Sequence, residues 1–158
     1  QMMIEQPGKL CTTVPSFDSW YWVIAYSGAK VPTAEARALM PKEVDLKTAL
    51  KFGQNLAAFI DASHKGNSDL AAKLLVDVIA EPVRAPIIPG FSAAKQAMLE
   101  QGAIASGISG SGPTLFAVTT DLVKAQQLET YLQQNYLQND DGFSHICKLD
   151  TQGARREA

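Results

Sequence analysis

The sequence predicts an α+β fold: a ferredoxin-like, split βαβ sheet that is mainly antiparallel, with extra helices inserted after the first strand. Apolar and β-branched runs bounded by turn residues predict four strands, at residues 20–26, 103–109, 114–119 and 143–149. Several predicted helices separate the first two strands, and one polar helix separates the last two. We expect the helices to cover one face of the sheet.

The first half of the chain is predicted to contain one strand and three helices. Residues 20–26 are aromatic and β-branched, which favours a buried strand. Pro32 and Thr33 begin a short helix. Asp45 is the predicted N-cap of a long helix that ends at Gly66, with one face formed by Leu46, Leu50, Gly53, Ala57 and Ile60. Ser68 is the predicted N-cap of a third helix, whose inward positions are Ala71, Leu74, Leu75 and Val78.

The second half is predicted to alternate between turns, strands and helices. Prolines at 82, 86 and 89 break the helical register and predict an ordered loop or turn. Phe91, Ala94 and Met98 form a helical stripe that ends at Gly102. The two strands at 103–109 and 114–119 flank a glycine loop. A helix over 121–136 follows, with Ala125, Leu128 and Leu132 facing the sheet, and a turn at 140–142 leads into the last strand.

Composition and charge exclude several classes of partner. The net charge of −2 and the scattered Lys and Arg residues provide no basic face for nucleic acid. The apolar runs are shorter than the roughly 20 residues that span a bilayer, so we expect no membrane partner. Cys11 and Cys147 lie far apart without metal-ligand spacing. We therefore expect no metal site, reduced thiols and a cytoplasmic location.

The segment 107–114, Gly-Ile-Ser-Gly-Ser-Gly-Pro-Thr, is the most informative part of the sequence. Its glycines at 110 and 112 permit backbone angles that other residues avoid, and they let a phosphate or another backbone approach closely. The segment is no Walker loop, because it lacks the Gly-Lys-Ser/Thr ending and precedes a strand instead of a helix. Taken alone, it favours a glycine-rich hairpin turn over a ligand site.

Arg37 is a candidate for binding a carboxylate. Thr33 and Arg37 are four residues apart, so they share one face of a helix, and the guanidinium leans toward the helix start. The unpaired amides there also suit an anion. The alternative is a surface salt bridge from Arg37 to Glu35 or Glu43.

Arg84 is a second candidate. It lies between Pro82 and Pro86, where the stiff backbone fixes the direction of the side chain. The alternative role is a bond from its guanidinium to exposed carbonyls at the end of the preceding helix. We assign structural roles to His64 and His145, and no residue is assigned as a catalytic acid or base.

Several motifs resemble one family. The sequence SGSGP at 109–113, between two apolar strands, resembles the third motif of the GHMP kinases, which include galactokinase, homoserine kinase and mevalonate kinase. The segments TAEAR at 33–37 and AEPVR at 80–84 resemble those with which homoserine kinases hold their amino-acid substrate. This resemblance implies that Arg37 and Arg84 clamp the α-carboxylate of L-homoserine and that Thr33 lies near the reacting hydroxyl. The residues it places near the phosphates and substrate are Ser109, Gly110, Ser111 and Gly112.

The resemblance also implies a larger protein. Nothing in this sequence matches the Gly-Leu-Gly-Ser-Ser type of loop that cradles ATP in the family. We therefore expect residues 1–158 to form one carboxy-terminal domain, with 1–15 as the remnant of a link to an amino-terminal domain that binds ATP and Mg²⁺. Such a chain alone would lack kinase activity, and the complete enzyme would be a homodimer. The alternatives are a non-catalytic amino-acid-binding regulatory module of ferredoxin-like topology, or another GHMP small-molecule kinase.

Overall fold

A four-stranded antiparallel sheet forms the centre of the molecule. The computed structural model describes residues 2–3, 11–152 and 156, with side chains from residue 13 onward. Two short strands, β1 (Met2–Met3) and β2 (Cys11–Thr12), pair with each other. Most of the predicted link at 1–15 lies outside the described residues. The main sheet contains β3 (Tyr21–Tyr26), β4 (Ala105–Ser109), β5 (Thr114–Thr119) and β6 (Phe143–Cys147).

The strand order confirms the predicted fold. The order is β4-β5-β3-β6, and every neighbouring pair is antiparallel. Because β5 is antiparallel to both β3 and β4, these two strands run in the same direction with β5 between them. That arrangement is the split βαβ unit of an α+β, ferredoxin-like fold.

The helices follow the predicted order. Those between β3 and β4 are α1 (Thr33–Ala38), α2 (Leu46–His64), α3 (Ser68–Leu74), α4 (Glu81–Arg84) and α5 (Phe91–Glu100), and α6 (Leu122–Asn135) precedes β6. Asp45 caps α2 as predicted, since its carboxylate accepts from the Thr48 amide at 2.9 Å. No helix within the described residues is long and apolar enough to cross a membrane.

One local prediction at a helix start is wrong. The N-cap of α3 is Asn67, whose side chain accepts from the Leu70 amide, while the Ser68 hydroxyl instead accepts from the Trp20 indole at 2.6 Å. The proline-containing stretch, predicted as an ordered loop or turn, forms the single-turn helix α4 and a 3₁₀ turn over Ala85–Ile87. Pro82 and Pro86 stand in the first turn of these elements, where a missing amide hydrogen costs no hydrogen bond.

The core occupies both faces of the sheet, so the expectation that helices cover one face is wrong. Because side chains alternate along a strand, β3, β4 and β5 each contribute to two clusters, one on each face of the sheet. The cluster under α5 and α6 contains Val23, Ala25, Phe91, Met98, Leu115, Leu128 and Leu132. The cluster under α2 and α3 contains Trp20, Ala62, Ala71, Ala72, Ala105 and Val118.

The predicted apolar face of α2 does not face this core. Leu46 and Leu50 are 74% and 56% exposed, whereas the buried residues of the helix are Asn55, Ala62 and Ser63. The C-terminal half of α2 therefore makes the contact with α3 and the sheet. Periodicity alone identifies an apolar face of a helix but not which neighbouring element covers it.

Candidate functional site

The glycine loop is a tight connection between β4 and β5. Ser109 and Thr114 are paired across the hairpin, and the Gly112 amide donates to the Ser109 carbonyl at 3.4 Å. Gly110 and Gly112 have φ angles of +67° and +83°, a region that residues with a Cβ rarely adopt. The glycines at these two positions are therefore required by the turn itself.

The base of the loop is packed tightly. A Cβ built on Gly112 would lie 2.5 Å from Cδ1 of Ile88, a residue that is only 3% exposed. The Tyr136 hydroxyl donates to the Pro113 carbonyl at 2.6 Å inside the core. Burial raises the pKa of Tyr136 to about 12, because the phenolate would lose its hydration. These contacts fix the position of the loop over α6.

The outer side of the loop is open. A Cβ built on Gly110 would meet no atom within 4 Å. The hydroxyls of Ser109 and Ser111, which are half-buried, have no hydrogen-bond partner among the residues that the structure describes. The loop thus presents two hydroxyls without a described partner and open space on the Cβ side of Gly110.

Arg84 connects this loop to α1. It is the last residue of α4, and its Nη1 donates to the Gly110 carbonyl while its Nε donates to the Ala36 carbonyl, both at 3.3 Å. The alternative expected from the sequence, bonding to the end of the preceding helix, is not what the structure shows. A guanidinium has five N–H donors, so three remain without a partner among the described residues.

Arg37 and Thr33 lie on α1, next to the Arg84 contact, but neither side chain has a hydrogen bond to the loop among the described residues. Both side chains are exposed. Arg37 follows Ala36, which is fully buried and accepts from Arg84. Within the described part of the chain Arg37 forms no ion pair, so the predicted alternative partners Glu35 and Glu43 are not bound to it. The structure therefore brings Arg84 and the glycine loop together directly, and α1 beside them.

Sequence reasoning missed a cavity beside the loop. A cavity of about 580 Å³ opens between α2, residues 74–81 and the edge strand β4, where Gly107 and Ile108 line it. Its polar lining includes Asn55, which is 8% exposed and has no side-chain hydrogen bond within the described residues. The remaining walls are largely apolar and include Met40, Phe52, Leu56, Phe59, Ile79 and Phe116. An amide on an otherwise apolar helix face was the available signal.

A second missed feature lies under α4. Glu81, the first residue of this helix, forms an ion pair with Lys95 on α5. Glu81 also lies close to β4, since a Cβ built on Gly107 would be 3.1 Å from its Oε2. The signal here was present in the sequence, because Glu81 belongs to the same AEPVR segment as Arg84.

The sequence family described as GHMP kinases C terminal matches residues 55–138. This stretch is more than half of the 158 residues, and it includes Arg84 and the whole glycine loop. The chain belongs to the GHMP kinase family. Thr33 and Arg37 precede the matched stretch, so the family match does not extend to these two residues.

Solved GHMP kinase structures share this fold. A homoserine kinase from Cytophaga hutchinsonii is 27% identical, with a TM-score of 0.80 over 87% of this chain and 44% of that chain. The L. major mevalonate kinase in complex with R-mevalonate is 14% identical, with a TM-score of 0.65 over 89% of this chain and 46% of that one. The chain therefore spans less than half the length of either protein.

The Tyr136 hydroxyl provides a test of the loop's anchoring. We expect Tyr136→Phe to lower the free energy of unfolding by about 1–3 kcal/mol, because the buried Pro113 carbonyl loses its donor. Urea unfolding followed by circular dichroism measures this change. The control is Tyr131→Phe, which removes a hydroxyl without a described partner and should have little effect. Equal losses of unfolding free energy in the two variants would show that the bond from Tyr136 to Pro113 does not contribute to stability.

The same hydroxyl predicts a pH dependence of stability. The pKa of Tyr136 is raised to about 12 in the folded chain from 10.0. Its stabilising effect is complete below pH 10 and is lost as pH rises toward 12, because the unfolded chain releases the proton first. Between these values wild type should lose about 2–3 kcal/mol more stability than Tyr136→Phe. The free energy of unfolding of both proteins is measured between pH 10 and 12. The same pH dependence in wild type and Tyr136→Phe would contradict the prediction.

Proposed function

We propose that this chain forms the acceptor-binding part of a homoserine kinase. The complete enzyme would transfer the γ-phosphoryl group of ATP to the side-chain hydroxyl of L-homoserine, giving O-phospho-L-homoserine on the route to threonine. The observation that carries the proposal is the direct contact between Arg84 and the glycine loop. It is supported by family membership and by the 27% identity to a homoserine kinase.

Arg84 is suited to bind the α-carboxylate. Its bonds to two backbone carbonyls hold the guanidinium in place and leave one N–H on Nη1 and both on Nη2 for a ligand. These groups match the two oxygens of a carboxylate in a bidentate pair. In the proposal, Arg37 supplies a second positive charge from the adjacent α1, and Thr33 lies near the hydroxyl that accepts the phosphoryl group.

The glycine loop orients the reacting groups. The open space over Gly110 accommodates the close approach of a phosphate, and the hydroxyls of Ser109 and Ser111 are free to donate to it. ATP, when bound, supplies the phosphoryl group, and Mg²⁺ offsets its charge. Phosphoryl transfer depends mainly on positioning and charge stabilisation, so this part of the enzyme would contribute by orienting the acceptor. We assign both ligands mainly to the part of the enzyme outside this chain.

The proposal is tested with a full-length protein that contains this chain. Its activity with ATP is measured on L-homoserine, on mevalonate and on other small alcohols by detecting ADP release. We expect the highest kcat/KM for L-homoserine, because mevalonate has a carboxylate but lacks the ammonium group. A strong preference for mevalonate or another alcohol would contradict the proposal. It would show that this alcohol is the acceptor and that the protein is a different GHMP kinase.

The isolated chain distinguishes the remaining alternative. We expect no ATP-dependent phosphorylation by residues 1–158 alone, and only weak binding of homoserine by calorimetry. A non-catalytic regulatory module would instead bind homoserine or threonine unaided, with an affinity that the rest of the protein does not change. The homodimer and the cytoplasmic location also stay predictions, and sedimentation of the full-length protein tests the first of them.

A further inference from the structure

The ion pair between Glu81 and Lys95 differs from the other ion pair within the described residues. The side chains of Lys95 and Glu81 are 22% and 13% exposed, whereas those of Lys65 and Asp61 are 69% and 56% exposed. Water screens the charges of an exposed pair, and such pairs contribute little to the stability of the fold. A largely buried pair constrains its two partners strongly, because separating them would leave a charge with poor hydration.

The pair holds the helix that carries Arg84. Helix α4 comprises Glu81–Arg84, so Glu81 begins it and Arg84 ends it one turn later. A single turn has no stability of its own, since helix nucleation is unfavourable. Lys95 on α5 and the close approach of Gly107 on β4 therefore fix the start of α4. From that start, the other end of the turn reaches the carbonyl of Gly110.

We propose that the Glu81–Lys95 ion pair is a positioning device that directs Arg84 toward the glycine loop. The pair lies at the start of α4, one turn before the residue that contacts the loop, and neither Glu81 nor Lys95 makes a described hydrogen bond to the loop. Part of this inference, the effect on the acceptor, rests on the proposed function. The effect on the Arg84 side chain itself does not.

The first experiment measures Arg84 in this chain by nuclear magnetic resonance. The Arg84 Nε–H, bonded to the Ala36 carbonyl, should be protected from solvent exchange, and Glu81→Gln should accelerate its exchange at least about tenfold. Asp61→Asn, which removes the exposed ion pair, should leave that rate unchanged. An unchanged rate in Glu81→Gln, or an equal acceleration in Asp61→Asn, overturns the proposal.

The second experiment measures kinetics in the full-length protein. Glu81→Gln and Lys95→Met should each raise the KM for the acceptor about tenfold or more, with the KM for ATP nearly unchanged. Lys95→Arg, which keeps the charge, should retain most of the wild-type value. The double variant should be no worse than either single one, because both remove the same interaction. Additive losses, or equal changes in both KM values, overturn the positioning role.

The two experiments separate the inference from the proposed function. If the wild-type protein does not phosphorylate homoserine, the proposed function fails, and the exchange rate of Arg84 still decides whether the pair positions it. If homoserine is phosphorylated but Glu81→Gln leaves the exchange rate of the Arg84 Nε–H unchanged, the proposed function stands and the inference fails.

Discussion

Replacing Arg84 with alanine in the full-length protein is expected to raise the KM for L-homoserine between about tenfold and a hundredfold. The variant loses a charge-assisted hydrogen bond to the carboxylate, worth about 1.5–3 kcal/mol. It also releases the Gly110 carbonyl and the Ala36 carbonyl that Arg84 holds. The KM for ATP should change by less than about twofold, because in the proposal Arg84 binds the acceptor and not ATP. Steady-state kinetics with each substrate varied in turn measures both values.

Two variants calibrate this result. Arg37→Ala should also raise the KM for homoserine more than the KM for ATP, but by a smaller factor, since Arg37 is exposed and has no described hydrogen bond to the loop. Lys65→Ala removes an exposed charge in a pair distant in sequence from the site and should alter neither constant. If Arg84→Ala raised both constants equally, the carboxylate role would be wrong.

Gly112→Ala is expected to destabilise the chain by about 2–5 kcal/mol. Two effects add at this position. A Cβ at a φ of +83° costs about 1–2 kcal/mol in backbone strain. The same Cβ would stand 2.5 Å from the Ile88 side chain, which is buried and cannot move without disturbing the core. Urea unfolding of this chain, followed by circular dichroism, measures the loss.

The matched control for this variant is Gly66→Ala. Gly66 has a similar φ of +68°, but a Cβ there would meet nothing within 4 Å. Its loss should be limited to the strain, about 1–2 kcal/mol. Gly110→Ala, with a φ of +67° and open space, should match Gly66→Ala in stability. Equal losses at Gly112 and Gly66 would show that the Ile88 contact does not constrain the loop.

Most of the secondary structure could be predicted from local patterns. The four strands, the Asp45 cap and the buried stripes of α5 and α6 depend on residue types near in sequence, which the sequence displays directly. The errors have a common cause. The Ser68 hydroxyl is used by Trp20, forty-eight residues away, and α2 is covered at one end by elements that periodicity does not reveal. Tertiary contacts decide such positions.

The same distinction between local patterns and tertiary contacts applies to the candidate site. Arg84 and the glycine loop were identified from rigid local backbone and from family resemblance, and the structure brings them within hydrogen-bond distance. The supports behind them were not identified. Tyr136 under Pro113 and Lys95 under Glu81 act across gaps of 23 and 14 residues. No local pattern predicts that a tyrosine at the end of one helix anchors the loop of a preceding hairpin.

The carboxylate role of Arg84 is tested most directly by removing the same group from the substrate. The full-length protein and its Arg84→Ala variant would be compared on L-homoserine and on 3-aminopropan-1-ol, which keeps the hydroxyl and the ammonium but lacks the carboxylate. We predict that the substitution lowers kcat/KM for homoserine about tenfold or more and leaves kcat/KM for the amino alcohol nearly unchanged. The same loss on both compounds would contradict the assignment.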